Sequence, residues 1–525
     1  MSKATEMARV SARGGFHLLW GLVISTLISA VGTIFIARIL GSDNMGLYYI
    51  AVGAPALIST FRDLGISAAM VKYLAQFNSQ NDVAKIRSVF ISGLTFEIIV
   101  GIALSIISIV LSQFLAELFG RPALVQLIQI ASLFVLTSAL VNAATAAFTG
   151  MEKMHLNSIM IVVQSIVKTA LILTFVILGF GTLGAVTGFS IGVLIAGATG
   201  VLLIYTMYQS LPKPTDNKLE LLKTIKNMLK YGLPLSIGVI LTGFLTQFYN
   251  YIMYIFVTDN SLIGNYSVAL NFVVLITFFA TPVTTMLFPA FSKLDAHEDK
   301  ELLKDVFQYS VKYAALIVVP ITAMVMSLAQ PAINTIFEGT YLQAPLYLAL
   351  LSVIYLFSAI GSLSTSNLIN GQGYTKYNSK LTMLTVAIGF PLSFILISQF
   401  GIIGLIVTTI IVGLPSYILS LRFIKRKFGV SIDWESSAKI VFSSTVAGAL
   451  TYAAILLLPF NSPIKLVIGL IIFVVAFVII AVITRTLTKS DLGNIREIGN
   501  SLGPLRKPLI FVLNLIEKFM DIVQK

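Results

Sequence analysis

The chain contains no cysteine. That excludes disulfides, a thiol nucleophile and any zinc–thiolate centre. Histidine is nearly absent as well. His17, His155 and His297 lie far apart and show no metal-ligand spacing, so no metal site is expected. Charge is scarce: 11% of the 525 residues are charged, roughly half the share of a soluble globular chain. No loop of the form GxxxxGK[ST] occurs, so this chain is not expected to hydrolyse ATP. Neither a cofactor nor a catalytic constellation is expected.

What is present is apolar. Hydrophobic residues make up 57% of the chain and mean hydropathy is +0.94. A helix crosses a bilayer with roughly 20 mostly apolar residues. About fourteen such runs can be read, with edges good to a few residues. Six lie near 14–40, 47–70, 88–116, 123–149, 156–179 and 183–208. Six more lie near 232–257, 263–291, 306–336, 343–369, 381–399 and 401–421, and two follow near 440–459 and 466–484. The first run is too long for a signal-peptide core of roughly 7–15 residues and reads as an uncleaved span.

The net charge of +13 does not point to nucleic acid, because the basic residues fall mostly between apolar runs. With the N-terminus inside, about 29 of the 35 Lys and Arg fall on inside segments. Only Arg121 and Lys465 fall outside, and Arg38, Arg62, Lys168 and Lys312 lie within spans. Both termini are therefore expected in the cytoplasm. The tail segment from Pro508 to Met520 is too short to span easily and reads as an interfacial helix.

The chain repeats itself. Phe180-Gly181-x-x-Gly184 recurs as Phe400-Gly401-x-x-Gly404, at an offset of 220 residues. Gly150-x6-Asn157-Ser158 recurs as Gly371-x6-Asn378-Ser379, and Gly46-x-Tyr48-x-x-Ala51 as Gly264-x-Tyr266-x-x-Ala269, at offsets of 221 and 218. The expected fold is an all-α polytopic membrane protein of two parallel six-helix repeats plus two extra C-terminal helices. The expected divisions are 1–208, a basic cytoplasmic linker at 209–231, 232–424, the extra pair at 425–486 and a tail at 487–525.

A charge near the bilayer centre costs roughly 2.5–3.5 kcal/mol on insertion scales, so each one asks for a reason. Arg62 and Asp63 are adjacent in the second span, Glu97 lies in the third, Lys168 in the fifth and Lys312 in the ninth. Arg38 sits near an end of the first and can snorkel. Arg62 with Glu97, or Asp63 with Arg38, would be structural pairs. The four cations outnumber the two anions, so at least two need an interface, a cavity or an anionic ligand. Arg62, Lys168 and Lys312 are candidates for phosphate contact, since phosphate suits both Arg and Lys. The second repeat instead offers the amides Gln247, Asn250 and Asn271, which serve equally as helix–helix hydrogen bonds.

The stretch Ala37-Arg38-Ile39-Leu40-Gly41, then Met45-Gly46-Leu47-Tyr48, Asp63-Leu64-Gly65-Ile66 and Lys72-Tyr73-Leu74-Ala75, resembles the start of the oligosaccharide and polysaccharide flippases. Their superfamily also holds multidrug-and-toxin exporters and lipid II flippases. The resemblance implies transfer of a lipid-linked oligosaccharide on a polyprenyl phosphate or pyrophosphate between leaflets of the cell membrane. It implies a cationic cavity for the headgroup, to which Arg38 and Arg62 correspond by motif position. The two extra helices would form a groove for the lipid tail. Membrane lipids and glycan-assembly enzymes are the implied partners, and a monomer is expected. This chain departs from the family pattern in having Asn250 where similar flippases often carry an acid, and no acid in its first helix. Asp63 and Glu97 are left as the coupling candidates. The alternatives are a lipid II-type flippase, a cation-coupled exporter, for which twelve spans suffice, or a membrane glycosyltransferase. The last needs acidic catalytic groups and usually a sizeable outer domain, for which the short outside loops leave no room.

Overall fold

In a bilayer the chain has no water to satisfy its backbone, so long apolar runs close their hydrogen bonds within helices. The computed structural model describes residues 3–212, 220–295, 298–499, 510, 513, 514, 516–518, 520 and 521, with side chains from Trp20 onward at nearly all of them. Among these residues there is no strand. The helices are α1 (Lys3–Ser59), α2 (Ile66–Ser79), α3 (Val83–Val110), α4 (Ser112–Leu118), α5 (Val125–Ala131), α6 (Leu133–Gly150), α7 (Met154–Phe175) and α8 (Gly181–Ser210). They continue as α9 (Leu221–Phe256), α10 (Asn260–Ser292), α11 (Lys300–Phe337), α12 (Ala344–Leu356), α13 (Ser362–Gly371), α14 (Thr375–Phe428), α15 (Trp434–Leu457), α16 (Ser462–Ile483) and α17 (Lys489–Gly499).

Among the described residues, ten helical stretches are long and apolar enough to cross a bilayer. The pair α12–α13, bent by 53°, makes eleven if it counts as one. Three of the ten contain backbone that is not helical: at Gly41, at Gly179 and Gly181, and at Gly401. Each break lies where the apolar runs of the sequence end.

The chain divides into two compact units. One comprises Met1–Asn271 with Val386–Thr408. One of its cores joins α2, α3, α6, α7, α8 and the start of α9 through Met70, Phe90, Phe148, Met160, Met207 and Met228. The other comprises Phe272–Thr385 with Thr409–Lys525. There Phe291, Phe307, Ile369 and Phe428 join α10, α11, α13 and α14, and Ala323, Ala447 and Phe473 join α11 to α15 and α16.

The internal repeat is visible bond by bond. After α6, Met151, Glu152 and Lys153 donate their amides to Ala147, Thr149 and Phe148. After α13, Gln372, Gly373 and Tyr374 donate to Leu368, Asn370 and Ile369, the same three bonds 221 residues on. Gly181 (φ 52°, ψ −134°) and Gly401 (φ 56°, ψ −128°) share one conformation that only glycine adopts without strain.

One sequence expectation changes. The run at 47–70 is not one helix: α1 stops at Ser59, the chain unwinds through Leu64 (φ 46°) and Gly65 (φ 82°), and α2 resumes at Ile66. Left-handed backbone at two consecutive residues ends any α-helix. Residues 221–231 of the basic linker form the first turns of α9, while Pro214 lies outside the described residues. The described part of the tail packs Leu513, Ile516 and Met520 on Val482 and Leu492; Pro508 lies outside it.

Gly181→Ala and Gly401→Ala should each cost about 1–3 kcal/mol, because a Cβ strains that backbone. Thermal unfolding in detergent reads this out. Unchanged melting in both would mean the two turns relax freely.

Candidate functional site

The break in the second expected span is also where charge is buried. Arg62 is 4% exposed and Glu97, on α3, fully buried; Arg62 Nη1 donates to Glu97 Oε2 at 2.5 Å. The pair is incomplete, because among the described residues Arg62 Nε and Glu97 Oε1 have no hydrogen-bond partner. Asp63 adjoins the same Glu97 carboxyl and accepts the Ser67 amide at 2.8 Å, capping the first turn of α2. The unwound segment lies against α9: a Cβ on Gly65 would stand 2.1 Å from the Gly232 carbonyl oxygen. Two residues on, Pro234 removes another helix hydrogen bond. A discontinuous helix with ionic groups at its break is how membrane proteins build sites for charged ligands.

The other candidates have separate surroundings. Lys168 is half-buried on α7, and among the described residues it makes no hydrogen bond or ion pair. Its backbone packs on Gly192 of α8, where a Cβ would come within 2.5 Å of the Lys168 Cα. Arg38 is exposed, three residues before the break at Gly41. Asn250 Nδ2 donates to Gln247 Oε1 at 3.2 Å within α9, and Asn271 Nδ2 to the Ser267 carbonyl at 2.8 Å. Lys312 is engaged: its ammonium donates to both oxygens of Asp491 at 2.7 and 2.8 Å. Thus Arg62 and Glu97 are brought together, while Lys312 belongs to another cluster.

Residues 11–295, more than half of the chain, match the polysaccharide biosynthesis protein family. The chain belongs to that family. A relative in Haloferax volcanii, named "probable low-salt glycan biosynthesis flippase Agl15", is 21% identical over 87% of this chain and 93% of its own. Among solved structures, a lipid II flippase MurJ in an inward closed conformation superposes with a TM-score of 0.72 at 16% identity, covering 89% of this chain and 98% of that one. An inward-facing multidrug resistance transporter of the MOP superfamily gives 0.62 at 17% identity, over 77% and 94%. The fold is shared with both.

Two residues of this family member escape sequence reasoning. Asp491 is 2% exposed, takes up Lys312, and also accepts from Thr488 Oγ1 at 2.7 Å and Tyr313 OH at 3.3 Å. Nothing in the spacing of positions 179 residues apart announces that pair. Arg121, assigned by charge counting only to an outside loop, is buried as well. Its one signal is its place between Gly120 and Pro122 in a stretch otherwise poor in cations.

Removing one partner of a buried ion pair costs about 3–5 kcal/mol, since it strands the other charge. Arg62→Met and Glu97→Leu should each destabilise by that order, and the double variant by clearly less than their sum. A thermal-unfolding double-mutant cycle measures it; strict additivity would mean the two do not interact.

The Asp491 pair has a pH signature. Burial pushes its carboxyl up, but hydrogen bonds from Lys312 and Thr488 outweigh this and hold it below the ordinary range. A group depressed on folding adds stability above its unfolded pKa and loses it as pH falls through the folded value. The protection factors of the α17 amides, with the intrinsic pH dependence of exchange divided out, should therefore stay constant near neutrality and fall only below about pH 4. A change in protection between about pH 6 and 8 would assign the attachment to some other group.

Proposed function

We propose that this protein is a flippase that moves a lipid-linked oligosaccharide from the inner to the outer leaflet of the cell membrane. The carrier is a polyprenyl phosphate or pyrophosphate. The observation that carries the reading is the charged break in the second span, in a chain whose family and fold are those of lipid and glycan transporters. Counting the breaks at Gly41, Gly181 and Gly401 as turns between spans raises eleven spans to fourteen, with both termini cytoplasmic. Two six-span lobes, 1–208 and 232–424, then alternate in access around a shared path.

In this reading Lys168 and Arg62 meet the headgroup phosphate, with Arg38 nearer the outer surface. Lys312 joins them only once its pair with Asp491 parts. Gln247, Asn250 and Asn271 contribute amides to the sugar. Asp63 and Glu97 are the coupling groups: protonation or a cation at Glu97 frees Arg62 for the ligand, which links ion binding to headgroup capture. The appended pair α15–α16 carries the tail. Phe442, Leu450, Leu457, Val467 and Ile471 are exposed apolar side chains on this pair. The protein acts as a monomer, alongside the enzymes that assemble the glycan, and needs no cofactor.

Reconstitution into vesicles with a fluorescent polyprenyl-pyrophosphate oligosaccharide tests this. Protein-dependent movement between leaflets is expected, with Lys168→Ala and Arg62→Lys each slowing it at least about tenfold, the equivalent of one 1.4 kcal/mol interaction. No movement under sodium, proton or voltage gradients, or full rates in both variants, would sink the proposal.

A further inference from the structure

Arg121 is the most fully bonded cation among the described residues. It follows Gly120, which takes a left-handed turn (φ 66°), and its own amide is fixed to the Ala116 carbonyl at 2.8 Å. Its guanidinium makes five hydrogen bonds. Nε donates to Asn260 Oδ1 at 2.6 Å. Nη1 donates to the Phe119 and Tyr254 carbonyls at 2.9 and 2.7 Å. Nη2 donates to the Val257 and Thr258 carbonyls at 2.6 and 2.9 Å. One acceptor belongs to its own turn in the first repeat. The other four belong to the second repeat, at the end of α9 and the start of α10. The last carbonyls of a helix have no partner within it and carry partial negative charge, so a guanidinium is a fitting cap.

A second contact joins the same elements. The repeat-related glycines Gly46 and Gly264 face each other. A Cβ on Gly46 would stand 1.9 Å from the Asn260 carbonyl oxygen, and one on Gly264 1.9 Å from that of Ser42. Beside them Ser261 Oγ donates to Ser42 Oγ at 2.9 Å, and the Phe119 ring meets Tyr251 and Tyr254 edge-on at 5.2 and 5.3 Å.

None of the five acceptors is a carboxylate, and Asp259 acts on Arg121 only through its field. When such a cluster parts at the membrane surface, water replaces every bond and no opposite charge is stranded. A buried ion pair lacks that property. Moreover, the matching turn of the second repeat keeps the left-handed glycine, Gly339 (φ 85°), but has Thr340 where the first has Arg121. The repeat thus supplies one clasp rather than two.

We propose that Arg121 is a positioning residue that fastens the two repeats together at the outer end of the translocation path, and that its release is required for opening to the outside. This rests on the flippase reading for what passes through. The experiment reads the clasp without any substrate. Because the chain has no cysteine, Ser42→Cys with Ser261→Cys creates the only thiols. The pair should oxidise readily to a cross-link in the parent. Arg121→Gln should slow cross-linking at least about tenfold, Arg121→Lys should restore part of it, and Gly264→Ala should slow it with Arg121 in place. Equal cross-linking rates in parent and Arg121→Gln would overturn the proposal. If Arg121→Gln fails to fold, Asn260→Ala, which removes one bond of the five, takes its place: slower cross-linking supports the clasp and an unchanged rate overturns it. Arg121-dependent cross-linking in a protein that moves no lipid would sink the proposed function and keep the clasp. Arg121-independent cross-linking with transport intact would do the reverse.

Discussion

A backbone in lipid has nowhere to take its hydrogen bonds except to itself, and this constraint governs the rest of the structure. Long helices are the default answer. Every departure from them is therefore costly and local, and each one here is built from specific residues. Gly41, Gly181 and Gly401 let the helix break without strain. The Leu64–Gly65 break is different. It falls inside an apolar run, where Asp63 takes the Ser67 amide and α9 packs closely at Gly232.

The same scarcity of water explains how the charges are arranged. Arg62 and Glu97 neutralise each other but leave one donor and one acceptor unmet. An arrangement that fully satisfied both would be inert, because exchange would only lose bonds. An arrangement with unused capacity accepts a further partner at lower cost. Lys312 is the contrast: Asp491 meets it with both oxygens and is itself saturated by Thr488 and Tyr313. The first cluster suits exchange of partners, and the second suits attachment of α17 to α11.

How much of this could be read in advance depends on the distance over which each feature is encoded. Helical class came from hydropathy, which is a property of twenty consecutive residues. The repeat was legible because Phe-Gly-x-x-Gly at 180 and 400 is a local motif with a local backbone cause. The alternative pairing of Arg62 with Glu97 was in view, since both sit in neighbouring spans. The pairing of Lys312 with Asp491 was not, because it joins a span to a segment beyond the last one. The break at Leu64–Gly65 was hidden by hydropathy, which treats a leucine as helix-forming whatever its φ. The burial of Arg121 was not legible, because charge counts assign a side of the membrane and say nothing of burial.

The meeting of Gly46 with Gly264 has a consequence for the history of the chain. A residue that packs against its own counterpart is the mark of an isologous interface, the kind two identical subunits form around a two-fold axis. Here both faces belong to one polypeptide, and the two-fold relation is visible as a pair of facing glycines. Fusion lifts the requirement that both halves be the same. A separate dimer carrying arginine at position 121 would place it on both sides of the axis; a fused one is free to keep arginine on one side and threonine on the other. The two halves thereby differ at Arg121 and Thr340, while the facing glycines Gly46 and Gly264 keep the symmetric contact.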